Sequence, residues 1–385
     1  VFGADIQESP LVFETGDQDG IMEPAGRDPV PLPWVAGEAE LDLRVMHNED
    51  GSPFEGDPRI ALSEVLNRYA HHGWQVIAAC ELEFFLLAEG DTLAPPLNPK
   101  TGRRLSGTEI LSLRELDGFD HFFNDVAEGA KLMGIGDLTI TTEAGVGQFE
   151  VTMTHGPALH IADNVILLKE LIKGTARNHG MAATFMAKPF SDESGNGLHT
   201  HFSVINQAGE NIFCSKGKLQ SAVAGCLEAF EASTLFFAPY VNSFDRFVEG
   251  AHAPTSATWG YENRTVAMRI PSGPDAATRI EHRVAGGDAN PYLLFAAIFG
   301  AALGGIERNS VPPAPIEGNA YEHPTELPGL LPDLSAAIDG LDAPLLEHFM
   351  PALILENLAA TKSQERDLFD KLSDHEALMA LIDTA

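Results

Sequence analysis

The chain has 385 residues, enough for one large domain or two, and 44% of them are hydrophobic, which suits a sizeable core. Its 24 Lys and Arg stand against 56 Asp and Glu, a net charge of −32 that repels nucleic acid and anionic membrane and favours solubility. The three cysteines, Cys80, Cys214 and Cys226, show no CxxC or CxxH spacing, which argues against a disulfide framework or a zinc site and for a reducing, cytoplasmic compartment.

Residues Val1 to Pro10 carry Asp5 and Glu8 and lack the basic-then-apolar pattern of a signal peptide. Residues 1–57 are rich in Pro, Gly and Asp, with strand-like pieces such as Leu41–Met46 and a turn at Asn48-Glu49-Asp50-Gly51. Asp57-Pro58 then opens a helix: Asp57 caps it, Pro58 suits its first turn, and Gly73 follows its end. Ile60, Leu62, Val65, Leu66 and Tyr69 form its apolar stripe. Further strands are expected over Val76–Leu87, Ala183–Met186, Leu198–Ile205, Arg264–Ile270 and Arg279–Val284. Helices are expected over Phe119–Met133, Ala158–His179, Leu219–Ala232, Pro291–Ile306 and from Pro351 onward. The uncharged run Tyr292 to Ile306 is too short to span a bilayer and reads as a close-packed buried helix.

Three of these segments alternate ionisable and apolar residues: Glu81-Leu82-Glu83, His199-Thr200-His201-Phe202-Ser203 and Arg279-Ile280-Glu281-His282-Arg283. Strand positions i and i+2 share a face, so each segment gathers its charges on one side. An isolated ExE pair is ordinarily a solvated strand face, but Val76–Ala79 and Phe84–Leu87 are apolar on both flanks. Buried charges are costly unless they pair or bind ions.

Two more constellations add to these. Glu143-Ala-Gly-Val-Gly-Gln-Phe-Glu150 places glycines between two acids, so that a tight turn can bring the carboxylates together. Arg264 and Arg269 stand among apolar residues, and guanidiniums bind phosphate and carboxylate bidentately. Four or five carboxylates with His199 suit hard divalent cations such as Mg2+ or Mn2+. No GxxxxGK[ST] is present, which excludes a P-loop enzyme.

In this order the motifs resemble the glutamine synthetase superfamily. They are Cys80–Phe85, Glu143–Glu150, Lys188-Pro189-Phe190, Gly195–Ser203, Asn263–Pro271, Arg279–Arg283 and Asn290-Pro291-Tyr292. Gly16-Asp-Gln-Asp-Gly20 and Gly318-Asn-Ala-Tyr321 look more like the γ-glutamylpolyamine synthetase branch. The resemblance implies an α+β fold, with a catalytic domain over 58–385 whose curved antiparallel sheet forms the active site and is flanked by helices. Over 1–57 it implies the C-terminal part of a small N-terminal β-grasp domain, its beginning absent. It further implies a ring-shaped homo-oligomer, commonly a dodecamer.

By position, Glu83, Glu143 and Glu150 resemble the ligands of a metal facing the amino acid, and Glu81, His199 and Glu281 those of a metal facing ATP. His201, Ser203, Arg264, Arg269 and Arg279 resemble nucleotide or phosphate contacts. Gly195, Arg246 and Arg283 resemble glutamate-binding positions. The implied reaction phosphorylates the γ-carboxylate of glutamate with ATP and then displaces phosphate with an amine, Arg264 and Arg283 stabilising charge. In the ammonia-using enzymes a glutamate follows the arginine matched by Arg246 at the sixth position. Here that position is His252, which points to an organic amine as acceptor and to His252, or a water, as the group that takes its proton. The alternatives are an ammonia-using glutamine synthetase and, in a different class, a non-catalytic assembly protein of this fold.

Overall fold

A computed structural model describes residues 5–9, 11, 20–90, 93–107, 110–248, 253–322 and 328–382. His252 lies outside the described residues, as do Gly3-Ala4 and most of Gly16–Gly20.

Four short strands come first: β1 (Ile21–Pro24), β2 (Val30–Pro31), β3 (Glu40–Leu41) and β4 (Arg44–His47), paired β1–β4 and β2–β3 as two antiparallel ribbons. Val30 is buried in the main core and Trp34 packs against it, so this segment is bound to the rest of the chain. Helix α1 (Pro58–His71) then begins as the sequence predicts. The Asp57 carboxylate accepts the Arg59 and Ile60 amides, and Gly73 takes a φ of +72° just past the end.

The centre is a nine-stranded sheet built on the 15-residue strand β5 (Trp74–Ala88). Its other members are β6 (Leu138–Thr142), β7 (Gln148–Met153), β8 (Gly156–Pro157), β9 (Met181–Thr184), β10 (Leu198–Asn206), β11 (Trp259–Tyr261), β12 (Met268–Ile270) and β13 (Ile280–His282). The path runs β11-β12-β13-β10-β5-β7-β6, with β8 and β9 also on β5. Along β5, Val76, Ala78, Cys80 and Leu82 turn into the core while Ile77, Ala79, Glu81 and Glu83 form the opposite, partly accessible face. Helix α1 is followed in the chain by α2 (Leu113–Gly118), α3 (Asp120–Leu132), α4 (Ala158–Asn178), α5 (Lys216–Glu228), the short α6 (Thr234–Phe237) and α7 (Pro291–Arg308). Four long helices, α1, α4, α5 and α7, cover the core side, with α7 packed against the other three. α7 is the buried helix expected over 291–306. Arg59, Asp163 and Tyr292 tie α1, α4 and α7 together, the Asp163 carboxylate accepting from Arg59 Nε at 2.9 Å and from the Tyr292 hydroxyl at 2.8 Å.

Several expectations need correction. The sheet is antiparallel except for β11–β12, which run parallel. The strand expected over Arg264–Ile270 shrinks to β12: the Asn263 side chain accepts from the Thr265 amide at 2.9 Å and hydroxyl at 2.6 Å, an Asx turn that holds Arg264 out of the ladder. The strand expected over Ala183–Met186 lies at Met181–Thr184, because Asn196 and the Thr184 hydroxyl take up the backbone groups beyond it. The segment around Glu143–Glu150 is a full β-hairpin rather than a turn alone. No helix among the described residues is long and apolar enough to cross a membrane.

Candidate active site

The register of the sheet sets the site. Residues directly opposite one another on adjacent strands lie on the same face with Cβ atoms about 5 Å apart. Arg269 faces Glu281, Glu281 faces His201, His199 faces Glu81, and Glu83 faces Glu150. Five strands therefore present one continuous band of ionisable side chains. Ser203 continues it along β10, and the Gly-rich turn of the β6–β7 hairpin, with Gly147 at φ +81°, returns Glu143 toward it.

One half of the band is internally neutralised. Glu81 receives His199 Nδ1 at 3.0 Å and His201 Nε2 at 2.9 Å. Arg279 Nε donates to His201 Nδ1 at 3.2 Å, so the proton of that imidazole sits on Nε2, facing Glu81. Burial works to raise the Glu81 carboxyl, but the bonds and charges of the two imidazoles outweigh it and hold it well below the carboxylate range. Glu281 is fully buried, 2.8 Å from Arg269 Nη1 and bonded to Arg283 Nη1. Its burial is likewise overcome by Arg283 and the two histidines, which lower its pKa. Both arginines keep a buried Nε with no partner. The neighbouring strands thus supply Glu81 with two imidazoles and Glu281 with two guanidiniums.

The other half has no such supply. Glu83 Oε2 accepts the Gly197 amide at 2.6 Å, and Glu150 accepts the Thr152 hydroxyl at 3.3 Å. Burial, then the charges of Glu81, Glu83 and Glu143, push Glu150 up to about 8. Burial and the charges of Glu83 and Glu81 push Glu143 up to about 7, and the charge of Arg264 across the site opposes them. Like charges this close stay ionised only when a cation joins them.

The donor atoms fit such a cation. Glu81, His199 and Glu281 form one group whose ligand atoms lie within 4.8 Å of one another, and Glu83, Glu150 and His199 form a second. Oxygen ligands about 2.0–2.6 Å from a hard divalent ion can lie that far apart. The first group is the set that the sequence assigned to a nucleotide-side metal. In the second, His199 takes the place expected for Glu143, which stands outside the tight group.

The expected glutamate positions meet beside the second group. Arg246, in the 3-10 turn Val241–Arg246, is buried and donates from Nη1 to the Val284 carbonyl at 2.6 Å. Gly197 is required here: a Cβ would lie 2.9 Å from Arg246 Nη2 and 3.2 Å from Glu83 Oε2. A Cβ at Gly195 would likewise lie 2.7 Å from Arg246 Cγ, and Arg283 follows β13 directly.

Sequence reasoning assigned no role to Gln148, although it stands in the Glu143–Glu150 motif. Its Oε1 accepts the Gly145 amide at 2.9 Å, and its Nε2 donates to the Gly195 carbonyl and Asn196 Oδ1, both at 3.0 Å. It locks the acid-bearing hairpin to the Gly195–Gly197 loop. The signal was a buried-type polar residue between Gly147 and Phe149, but its partners are distant in sequence.

Residues 55–379 match the glutamine synthetase catalytic domain. The chain is 37% identical over 340 residues to gamma-glutamylputrescine synthetase PuuA of Escherichia coli (strain K12), covering 84% of this chain and 70% of that protein. It is 33% identical over 312 residues to a glutamate–isopropylamine ligase of a Pseudomonas species, covering 77% and 66%. Among solved structures, a GmaS/ADP complex superposes with a TM-score of 0.85 at 30% identity, covering 95% of this chain and 86% of that one.

Proposed function

The chain belongs to the glutamine synthetase family, whose catalytic domain it carries, and from that premise we propose that this ligase joins the γ-carboxylate of L-glutamate to an organic amine. ATP is converted to ADP and phosphate, and the product is a γ-glutamyl amide, with a polyamine as the favoured acceptor. The observation that carries the choice of acceptor is the histidine at position 252, six places after Arg246, where the resemblance implies a glutamate in the ammonia-using enzymes. Likeness to a gamma-glutamylputrescine synthetase and a glutamate–isopropylamine ligase supports it.

In this reading Gly195, Arg246 and Arg283 hold glutamate, and His201, Ser203, Arg264, Arg269 and Arg279 hold ATP and its phosphates. Two divalent cations, Mg2+ or Mn2+, belong to Glu81, His199 and Glu281 and to Glu83, Glu150 and Glu143, and bound there they screen the charge between carboxylate and triphosphate. The protein holds the γ-carboxylate in line with the γ-phosphate, so that attack yields γ-glutamyl phosphate and ADP. Arg264 and Arg283 stabilise the charge that develops on the phosphoryl and acyl oxygens. The amine then displaces phosphate and loses its proton to His252 or a water. As parts of the same proposal, residues 1–57 are the end of a β-grasp domain, the chain assembles as a ring-shaped homo-oligomer, and it works in the cytoplasm, where Cys80, Cys214 and Cys226 stay free.

ADP release with glutamate and either ammonium or a panel of mono- and polyamines tests the reading. Turnover with an organic amine far above that with ammonium is expected, and the reverse establishes the ammonia-using alternative. The His252→Glu variant is expected to gain ammonium turnover; an unchanged preference removes His252 from the acceptor site.

A further inference from the structure

The segment after α7 returns to the site. The Asn263 amide donates to the carbonyls of Ile316, at 3.3 Å, and Gly318, at 2.8 Å. The Thr265 hydroxyl accepts the Ala320 amide at 2.9 Å, and Asn319 accepts the Tyr321 amide at 3.2 Å. The Asx turn that presents Arg264 thus also fixes Tyr321, and the same turn and segment line a cavity of about 570 Å3.

The Tyr321 hydroxyl is buried and has no hydrogen-bond partner. Arg283 Nε is in the same condition. Buried polar atoms in native proteins nearly always find partners, so each of these orphans calls for a missing group. The charges of Arg283 and Arg246 both act on this hydroxyl, against a burial that raises its pKa. The hydroxyl keeps its proton there and serves as a donor. Guanidiniums offer only donors, so neither arginine can accept from Tyr321. An anion with several acceptor oxygens satisfies both the Tyr321 hydroxyl and Arg283 Nε, and it can also accept from Arg246.

We propose that Tyr321 is a substrate-contacting residue whose hydroxyl donates a hydrogen bond to a carboxylate of the amino-acid substrate held by Arg246 and Arg283. The inference rests on glutamate being that substrate, as in the function proposed above. Carboxylate is favoured over the phosphates of ATP because Arg246, buried beside Gly195 and Gly197, lies on the amino-acid side of the band.

The test is steady-state ADP release by the metal-loaded enzyme and by its Tyr321→Phe variant, varying glutamate and ATP separately. Loss of a hydrogen bond to a charged group is expected to raise the KM for glutamate roughly tenfold or more. The KM for ATP and the melting temperature stay unchanged, since Phe keeps the ring. KM reports on folded molecules alone, so a partial loss of fold leaves the answer intact. A glutamate KM within about twofold of the parent, or a rise confined to ATP, overturns the assignment. Absence of glutamate-dependent ADP release in the parent enzyme instead removes the proposed function, and the contact with it.

Discussion

The two halves of the ionisable band use the same residue type for opposite purposes. Glu281 and Glu81 are each held by two cationic or hydrogen-bonding partners from neighbouring strands, and their carboxyls are pulled down. Glu150 and Glu143 stand mainly among other acids, which the Thr152 hydroxyl at Glu150 and the charge of Arg264 at Glu143 do not offset, and theirs are pushed up to about 8 and 7. A carboxylate that the fold satisfies stays ionised with or without a metal. One that it leaves in surplus is a standing demand for an outside cation. The difference arises from register: β12 and the residues flanking β13 bring arginines to the first half, while β7 and the turn after β6 bring Glu150 and Glu143 to the second.

The same substitution on the two sides breaks or sharpens this contrast. Glu281→Gln leaves the buried Arg283 without its carboxylate and Arg269 with only the exposed Glu262, and is expected to cost about 3–5 kcal/mol of stability by chemical denaturation. A cost below about 1 kcal/mol would show that the pair is not a structural one. Next comes the cation. In metal-free protein a carboxyl raised in the folded state binds more protons than in the unfolded state, so stability falls as pH rises from about 4.5 through the folded values near 7 and 8. Saturating Mn2+ at about 100 times its Kd is expected to add about 2.7 kcal/mol at pH 8 and much less at pH 5, read as melting temperature against pH. A cation effect independent of pH would place the metal elsewhere. The smallest change is Glu150→Gln in metal-free protein, where removing a like charge leaves stability within about 1 kcal/mol of the parent or raises it. The same variant should respond less to Mn2+ at about pH 8 than the parent does.

Much of this was legible before any coordinates. The capped start of α1 at Asp57-Pro58, the length of α7, and the two faces of β5 and β10 follow from local rules that need no partner. The alternation Glu81-Leu82-Glu83 could place both acids on one face, and both stand there. Arg264 was misread because apolar neighbours look strand-like, whereas an Asx turn competes through the Asn263 side chain. Gln148 passed unassigned because its amide acts across the fold.

Amino-acid order alone determined which residues share a face, where the helices begin, and that the chain carries more acid in apolar surroundings than it can bury unaided. Periodicity and capping are local, and a handful of neighbours decides them. Only the tertiary structure decided which acid meets which base. That choice rests on strand register, which pairs Arg269 with Glu281 and Glu83 with Glu150 across gaps of 12 and 67 positions. It also brought His199 within reach of both acid groups and left the Tyr321 hydroxyl buried without a partner.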